Sequence, residues 1–347
     1  MRTTVILLVA IALPLTAHAH HSFVNRFDRK STGEIEGDIT ELLWRNPHTY
    51  MTIRSTGPKG ELVDWQIETG SLSLLRRLGI EGTMKVGDRI KIAGYPSTSE
   101  KHEMYAQHIL LPDGTELLLD TGLMPYWGGK TSGDKSLLAV RDGDPSRPDL
   151  GLFRVWSFIR SGPRLFPEAV DPKFNVQSYP MTDAARAALA KFDIEKSRPT
   201  GNCAPKGMPT LMEQPYPIEF VKRSDGDITL RIEEYDLERV IYMRPEAAPK
   251  NPPRSLLGQS VGRWDGRTLV VTTTRVSWPY FSQVGIPQSD VAELVERFTP
   301  TEDGSRVDYE LTVTDPRTFT KPVTLHMYWI WVPGIEILPF NCKEREP

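Results

Sequence analysis

The sequence has few cysteines and no long apolar segment. It contains only Cys203 and Cys342 among 347 residues, and its longest apolar run, residues 5–15, is interrupted by Pro14. A helix that crosses a bilayer needs roughly 20 apolar residues, so we expect no membrane span. The net charge of −3, with both signs interspersed, lacks the basic excess of a nucleic-acid-binding surface. We therefore expect no nucleic-acid partner.

Common catalytic motifs are also missing. The sequence contains no glycine-rich phosphate loop, no nucleophile elbow and no H-E-x-x-H zinc motif. Glu233-Glu234 and the Glu293…Glu296 pair are candidate paired acids, although carboxylates on a hairpin usually form a solvated face. Whether the protein is an enzyme stays open at this point.

The first 19 residues have the pattern of an export signal. Arg2 gives a positive start, residues 5–15 form a short apolar region, and Ala17-x-Ala19 provides the small residues that a signal peptidase requires. We predict cleavage after Ala19 and a periplasmic or secreted mature protein that begins at His20. Because such compartments are oxidising, the two cysteines are expected to form a disulfide.

Residues 20–119 are predicted to form an OB-like small barrel. Alternation of apolar and polar residues predicts strands, and Ser71 is placed to cap a short helix that Gly79 ends. The predicted strands are 33–44, 49–53, 62–68, 86–92 and 105–111, with the helix at 72–78. Three strands, one helix and two strands is the element order of an OB fold.

A second β-rich domain is predicted at residues 206–347, after a linker at 120–205 that holds one short helix beginning after Thr182. Three Asp-Gly turns, at 225–226, 265–266 and 303–304, each separate two alternating runs and predict hairpins. About eight antiparallel strands favour a closed, lipocalin-like up-and-down barrel, and a sandwich is the alternative.

Nitrogen donors suggest a metal site. The α-amino group and imidazole of His20, with His21 and His48, are ligands that suit Cu(II). The alternative is a solvated N-terminal tail and a His48 that only hydrogen-bonds the turn after Asn46-Pro47. The other histidines are expected to be solvated or structural; they are His102, His108 and His326.

Several motifs point to known sequence families. The N-terminal motifs are His20-His21-Ser22-Phe23, Trp44-Arg45-Asn46-Pro47-His48, Trp65 and Gly87-Asp88. With these, residues 20–119 resemble an exported bacterial domain of unknown function that opens with H-H-S-F and carries W-x-N-P-H. This resemblance places His20, His21 and His48 at motif positions, but it implies no activity.

The later part resembles a companion region of uncharacterised β-rich bacterial proteins. Its motifs are Arg239-Val240-Ile241-Tyr242-Met243, Gly262-Arg263-Trp264-Asp265-Gly266 and Glu296-Arg297-Phe298. The candidate ligand-binding residues come from these motifs: Arg239, Tyr242, Trp264, Glu296 and Arg297. Many proteins of this kind carry a histidine before a Ser-Asp or Ser-Glu pair, whereas this chain has Gln288.

Three functions are consistent with the sequence. The first is a non-catalytic exported binding protein that holds a small apolar molecule in its second barrel. The second is an enzyme that acts on a small molecule in the same cavity. The third is a periplasmic copper-binding protein that uses His20, His21 and His48.

Overall fold

In a computed structural model, the described residues form two β-barrels. The structure describes residues 26–120, 122–132, 151–158, 162–169, 171, 173–193, 197 and 203–342. The predicted signal peptide lies outside these residues, and so do His20 and His21. No helix in this part of the chain is long and apolar enough to cross a membrane.

The first barrel has the predicted OB order. Its elements are β1 (Gly33–Leu43), β2 (Tyr50–Thr56), β3 (Leu62–Glu68), α1 (Leu72–Arg77), β4 (Arg89–Pro96) and β5 (Glu103–Leu110). The strands lie in the order β3-β2-β1-β4-β5, and a parallel pairing of β3 with β5 closes the barrel. The Ser71 side chain caps α1 by accepting a hydrogen bond from the Leu74 amide, as predicted.

Two short strands extend this sheet beyond the barrel. Asp113-Gly114 turns the chain into β6 (Glu116–Leu118), which pairs with β5, and β7 (Thr131–Ser132) pairs with β6. The predicted helix in the next region is α2 (Asp183–Leu189), and the Thr182 side chain caps it.

The second barrel is closed and has nine strands. They are β8 (Val155–Phe158), β9 (Ile218–Lys222), β10 (Ile228–Ile232), β11 (Leu237–Tyr242), β12 (Gln259–Asp265), β13 (Thr268–Thr274), β14 (Glu293–Pro300), β15 (Arg306–Thr314) and β16 (Val323–Ile330). They close in the order β10-β11-β12-β13-β14-β15-β16-β8-β9. The barrel, rather than the sandwich alternative, is confirmed.

The details differ from a purely antiparallel barrel of eight strands. β8 comes from the stretch assigned to the linker, and it fills the gap between β16 and β9. A ring of nine strands cannot alternate in direction all the way round, so one pair must be parallel. That pair is β11 and β12. The three Asp-Gly turns join antiparallel neighbours as predicted, because each glycine supplies the positive φ that the turn requires.

Large side chains fill the second barrel. Trp156, Phe220, Phe298, Tyr309 and Trp329 are all at most 1 % exposed. Phe298 packs against Phe220 with ring centroids 5.0 Å apart and against Tyr309 at 4.9 Å. The interior is therefore a packed core.

The predicted disulfide is confirmed. Cys203 and Cys342 are bonded, with their Cα atoms 5.8 Å apart and 139 positions apart in sequence. The bond ties the C-terminal segment to the segment that leads into the second barrel. Residues 335–338 form no strand; they run beside the turn after β10, where the Leu338 amide donates to Glu233.

Candidate metal-binding and interdomain sites

Arg239 and Glu296, two of the candidate ligand-binding residues, meet inside the second barrel. The guanidinium of Arg239 donates to both carboxylate oxygens of Glu296, at 3.0 Å for the Nη1–Oε1 bond, and its Nε donates to Ser260 Oγ at 2.8 Å. The Tyr309 hydroxyl donates to Glu296 Oε1 at 3.0 Å, and Thr273 Oγ1 lies 3.3 Å from Oε2. All five side chains are at most 2 % exposed.

This network is a closed, internally paired set of polar groups. Burial, and then the negative charge of Glu296, raises the pKa of the Tyr309 hydroxyl well above its ordinary value, so the hydroxyl stays protonated and donates. Because the carboxylate already accepts hydrogen bonds from Arg239 and Tyr309, its oxygens are not available to a ligand. The network therefore stabilises the barrel interior.

Tyr242, Trp264 and Arg297 lie away from this network. Trp264 is 43 % exposed, and Arg297 donates to Asp265 at 3.1 Å on the outside of the barrel. Tyr242 follows the buried Ile241, so alternation directs its side chain outward. The five candidate residues therefore do not form one site. Arg297 instead lines an open groove of about 470 Å³ on the outer face of β14–β16.

Sequence reasoning missed Ser260, Thr273 and Tyr309. A signal was present, because Thr273 continues the inward register of Leu269 and Val271 on β13. A polar residue at an inward position needs a buried partner. Alternation therefore indicated that a partner exists, but it did not identify Glu296.

His48 is the predicted metal ligand that the structure describes. It follows the cis Asn46–Pro47 bond and precedes β2, at one end of the first barrel. Its Nδ1 lies 3.1 Å from the Thr69 carbonyl oxygen and 3.2 Å from Glu68 Oε1. Both atoms accept hydrogen bonds, so Nδ1 carries the proton. The lone pair of the neutral ring is then on Nε2, for which the described residues provide no hydrogen-bond donor.

That arrangement is typical of metal-binding histidines, in which one ring nitrogen donates to a carbonyl or carboxylate and the other binds the metal. The His48 side chain is 34 % exposed, which leaves it accessible. No group of three or more His, Cys, Asp or Glu side chains that could hold a metal occurs within the described ranges. A site at His48 therefore needs donors from elsewhere, and His20 and His21 lie outside those ranges.

The other histidines occupy structural or solvated positions. His108 Nδ1 lies 2.9 Å from Glu116 Oε1, and burial, despite that carboxylate, lowers the pKa of His108. Glu116 also accepts from the Tyr126 and Trp127 amides, so it holds the 126–127 loop. His102 is exposed, and the His326 side chain is 65 % exposed.

The two barrels meet next to His48. Pro47, His48 and Ser71 of the first domain, with Phe158 and Tyr216 of the second, line a cavity of about 40 Å³. This volume holds a few water molecules and is too small for a drug-sized ligand. The Tyr216 hydroxyl donates to the Pro47 carbonyl oxygen at 3.3 Å, so the first-domain segment that carries His48 contacts the second domain.

Glu233 makes further polar contacts between the barrels. Its Oε1 accepts from Asn46 Nδ2 at 3.1 Å and from the Ser73 hydroxyl, both in the first domain. Its Oε2 accepts from the Leu338 amide at 2.8 Å. The two carboxylates of the candidate pair Glu233-Glu234 are thus buried and have different partners, because Glu234 forms an ion pair with Lys206 at 3.0 Å. The expectation that these carboxylates form a solvated face is wrong.

Comparison with known proteins supports the resemblance of the N-terminal region. Residues 8–105 match the model of a family of unknown function, DUF6152. No curated protein matches the chain. The solved structures include a similar chain, the mitochondrial single-stranded DNA-binding protein Rim1 from S. cerevisiae, with 16 % identity and a TM-score of 0.20. The match covers 24 % of this chain and 94 % of that one. At this similarity it carries no argument about function.

Proposed function

We propose that the protein is an exported, non-catalytic binding protein whose ligand is Cu(II), held by the amine and imidazole of His20 with His21 and His48. The observation that carries the proposal is the orientation of His48. Thr69 and Glu68 hold its Nδ1 proton, which leaves Nε2 for a metal. An N-terminal amine and imidazoles are nitrogen donors of the kind that Cu(II) prefers.

The distance along the chain allows the N-terminal donors to reach His48. Arg26 is six residues after His20, so the connecting segment spans at most about 20 Å. The Nε of Arg26 donates to Glu103 Oε2 at 3.2 Å, and the charge of Glu68 contributes to the raised pKa of Arg26. Since Glu68 is the partner of His48, Arg26 brings the chain close to the proposed site.

Export is part of the proposal. The small residues Ala17 and Ala19 favour cleavage that would expose the His20 amine, and a disulfide is expected in an oxidising compartment. A periplasmic or secreted location gives access to copper. We also propose that nucleic acid is not a partner, because the exposed positions of β1 carry Glu34, Glu36 and Asp38.

The alternatives that use the second barrel have less support. A small apolar ligand, or a reaction on one, needs an open interior. The aromatic side chains and the Arg239–Glu296 network occupy that interior instead.

The test is Cu(II) affinity, measured by competition titration at one fixed pH on protein whose N-terminus is confirmed to be His20. We compare this form with a form that retains Met before His20, with His48→Ala and with the control His326→Ala. Loss of even an outer-shell partner typically weakens a metal site about tenfold or more, so the Met-extended and His48→Ala proteins should lose at least that much. His326→Ala should bind as tightly as the unmodified protein. Equal affinity in all four proteins would contradict the proposal.

A further inference from the structure

The turn that follows β10 makes polar contacts with the first domain, with the C-terminal segment and with Lys206. Glu233 binds Asn46 and Ser73 of the first domain and the Leu338 amide of the C-terminal segment. Asp236 accepts from the Phe340 amide at 3.1 Å, and Glu234 pairs with Lys206 at 3.0 Å. Glu233 is therefore a side chain of the second barrel that contacts both the first barrel and the C-terminal segment.

Glu233 is fully buried at 0 % exposure, yet no lysine or arginine in the described part of the chain forms an ion pair with it. The charged groups around it are unsuited to neutralising it. Asp236 and Glu234 are acids on the same turn, and Lys206 is already paired with Glu234. From α1, Arg76 forms its ion pair with Glu81 at 2.6 Å, and that hydrogen bond is the main reason that the pKa of Arg76 is raised; the charges of Glu336 and Glu233 contribute less.

Burial is the main reason that the pKa of Glu233 rises from 4.5 to about 7; the three hydrogen-bond donors oppose the rise, and Asp236 adds to it. A neutral carboxyl group fits this environment, because it places no net charge in the buried contact. An ionised carboxylate leaves a buried charge between the domains that has no ion-pair partner among the described residues.

We infer that the protonation state of Glu233 controls the contact between the two barrels and the C-terminal segment. A neutral carboxyl group holds the three parts together, which we call the fastened form. Ionisation weakens their contact and gives the loosened form. Loosening would open the contact beside the cavity that His48 and Tyr216 line. The inference does not depend on metal binding at His48.

The direction of the pH effect follows from linkage. In a loosened form, Glu233 is hydrated and its pKa returns to about 4.5, below the value of about 7 in the fastened form. The fastened form therefore binds more protons, and it is fully favoured below pH 4.5 and weakened as the pH rises to about 7. The ratio of fastened to loosened protein should fall roughly 40-fold between pH 5 and pH 7, and it should level off above that range.

Hydrogen–deuterium exchange with mass spectrometry tests this on the full chain with its disulfide intact. The reporting peptides contain the Leu338 and Ser73 amides, and the rates are corrected for the intrinsic pH dependence of exchange. Protection of both peptides in the unmodified protein should fall with rising pH and level off above about pH 7. Protection that stays constant between pH 5 and pH 8 would overturn the inference.

Variants identify the group responsible. Glu233→Gln should remove the pH dependence, whereas the control Glu336→Gln, an exposed acid in the same segment, should retain it. Ser73→Ala removes one donor to the carboxylate, so it should move the levelling-off point to higher pH; this variant decides the matter if Glu233→Gln does not fold. An unchanged pH profile in Glu233→Gln, or in Ser73→Ala when it alone is available, would assign the effect to another group and overturn the inference.

Discussion

The buried Arg239–Glu296 pair allows a quantitative test of what holds the second barrel together. Both side chains are at most 2 % exposed, and the pair is bidentate. Replacing one partner by an uncharged residue leaves the other buried without its counter-charge. Such a change typically costs about 3–5 kcal/mol of the free energy of unfolding. We expect a loss of this size for Arg239→Met and for Glu296→Leu.

The double variant should be less damaging than either single variant. With both charges gone, the remaining cost comes mainly from the Tyr309 hydroxyl, which loses its acceptor. An unsatisfied buried hydroxyl costs about 1–3 kcal/mol. Ser260 and Thr273 can still bond to each other, since their oxygens lie 3.0 Å apart. The two substitutions should therefore be strongly non-additive.

Urea unfolding monitored by tryptophan fluorescence measures these free energies, because Trp156 and Trp329 lie inside this barrel. Arg54→Met is a matched control. Arg54 and Asp64 form a bidentate pair with bonds of 2.7 and 2.8 Å, but both are largely exposed. Arg54→Met should therefore lower the free energy of unfolding far less than Arg239→Met does. Single-variant losses below about 1 kcal/mol, or a double-variant loss equal to their sum, would refute this reasoning.

Two further predictions concern stability. Replacing Cys203 and Cys342 by alanine should lower the free energy of unfolding by up to about 5 kcal/mol in the chain-entropy model, because the disulfide closes a loop of 139 positions; comparison of the oxidised protein with the variant by urea unfolding measures this, and equal stability would contradict it. Because the pKa of native His108 lies below the 6.5 of the unfolded chain, stability should fall as the pH drops below 6.5. His108→Asn should reduce that pH dependence in a thermal-unfolding series, and an identical profile in the variant would contradict the assignment.

Local signals in the sequence determined the elements of the first barrel and the three Asp-Gly hairpins of the second. Asp-Gly pairs set the hairpins at 225–226, 265–266 and 303–304, since a turn depends on a few neighbouring residues. The order of three strands, a capped helix and two strands predicted the OB-like barrel, because alternation and helix caps also depend on neighbouring residues. The disulfide followed from there being only two cysteines.

Contacts between distant residues were decided only by the tertiary structure. The second barrel closes only when β8 lies between β16 and β9 and when β11 pairs in parallel with β12. The strand pattern of the sequence could not predict this, because it does not indicate which strands are neighbours. Arg239 meets Glu296 across the interior because of register, and Glu233 is buried because the first barrel docks beside it. For His48, the sequence supplied the imidazole, whereas the positions of Thr69 and Glu68 determined which ring nitrogen remains available to bind a metal.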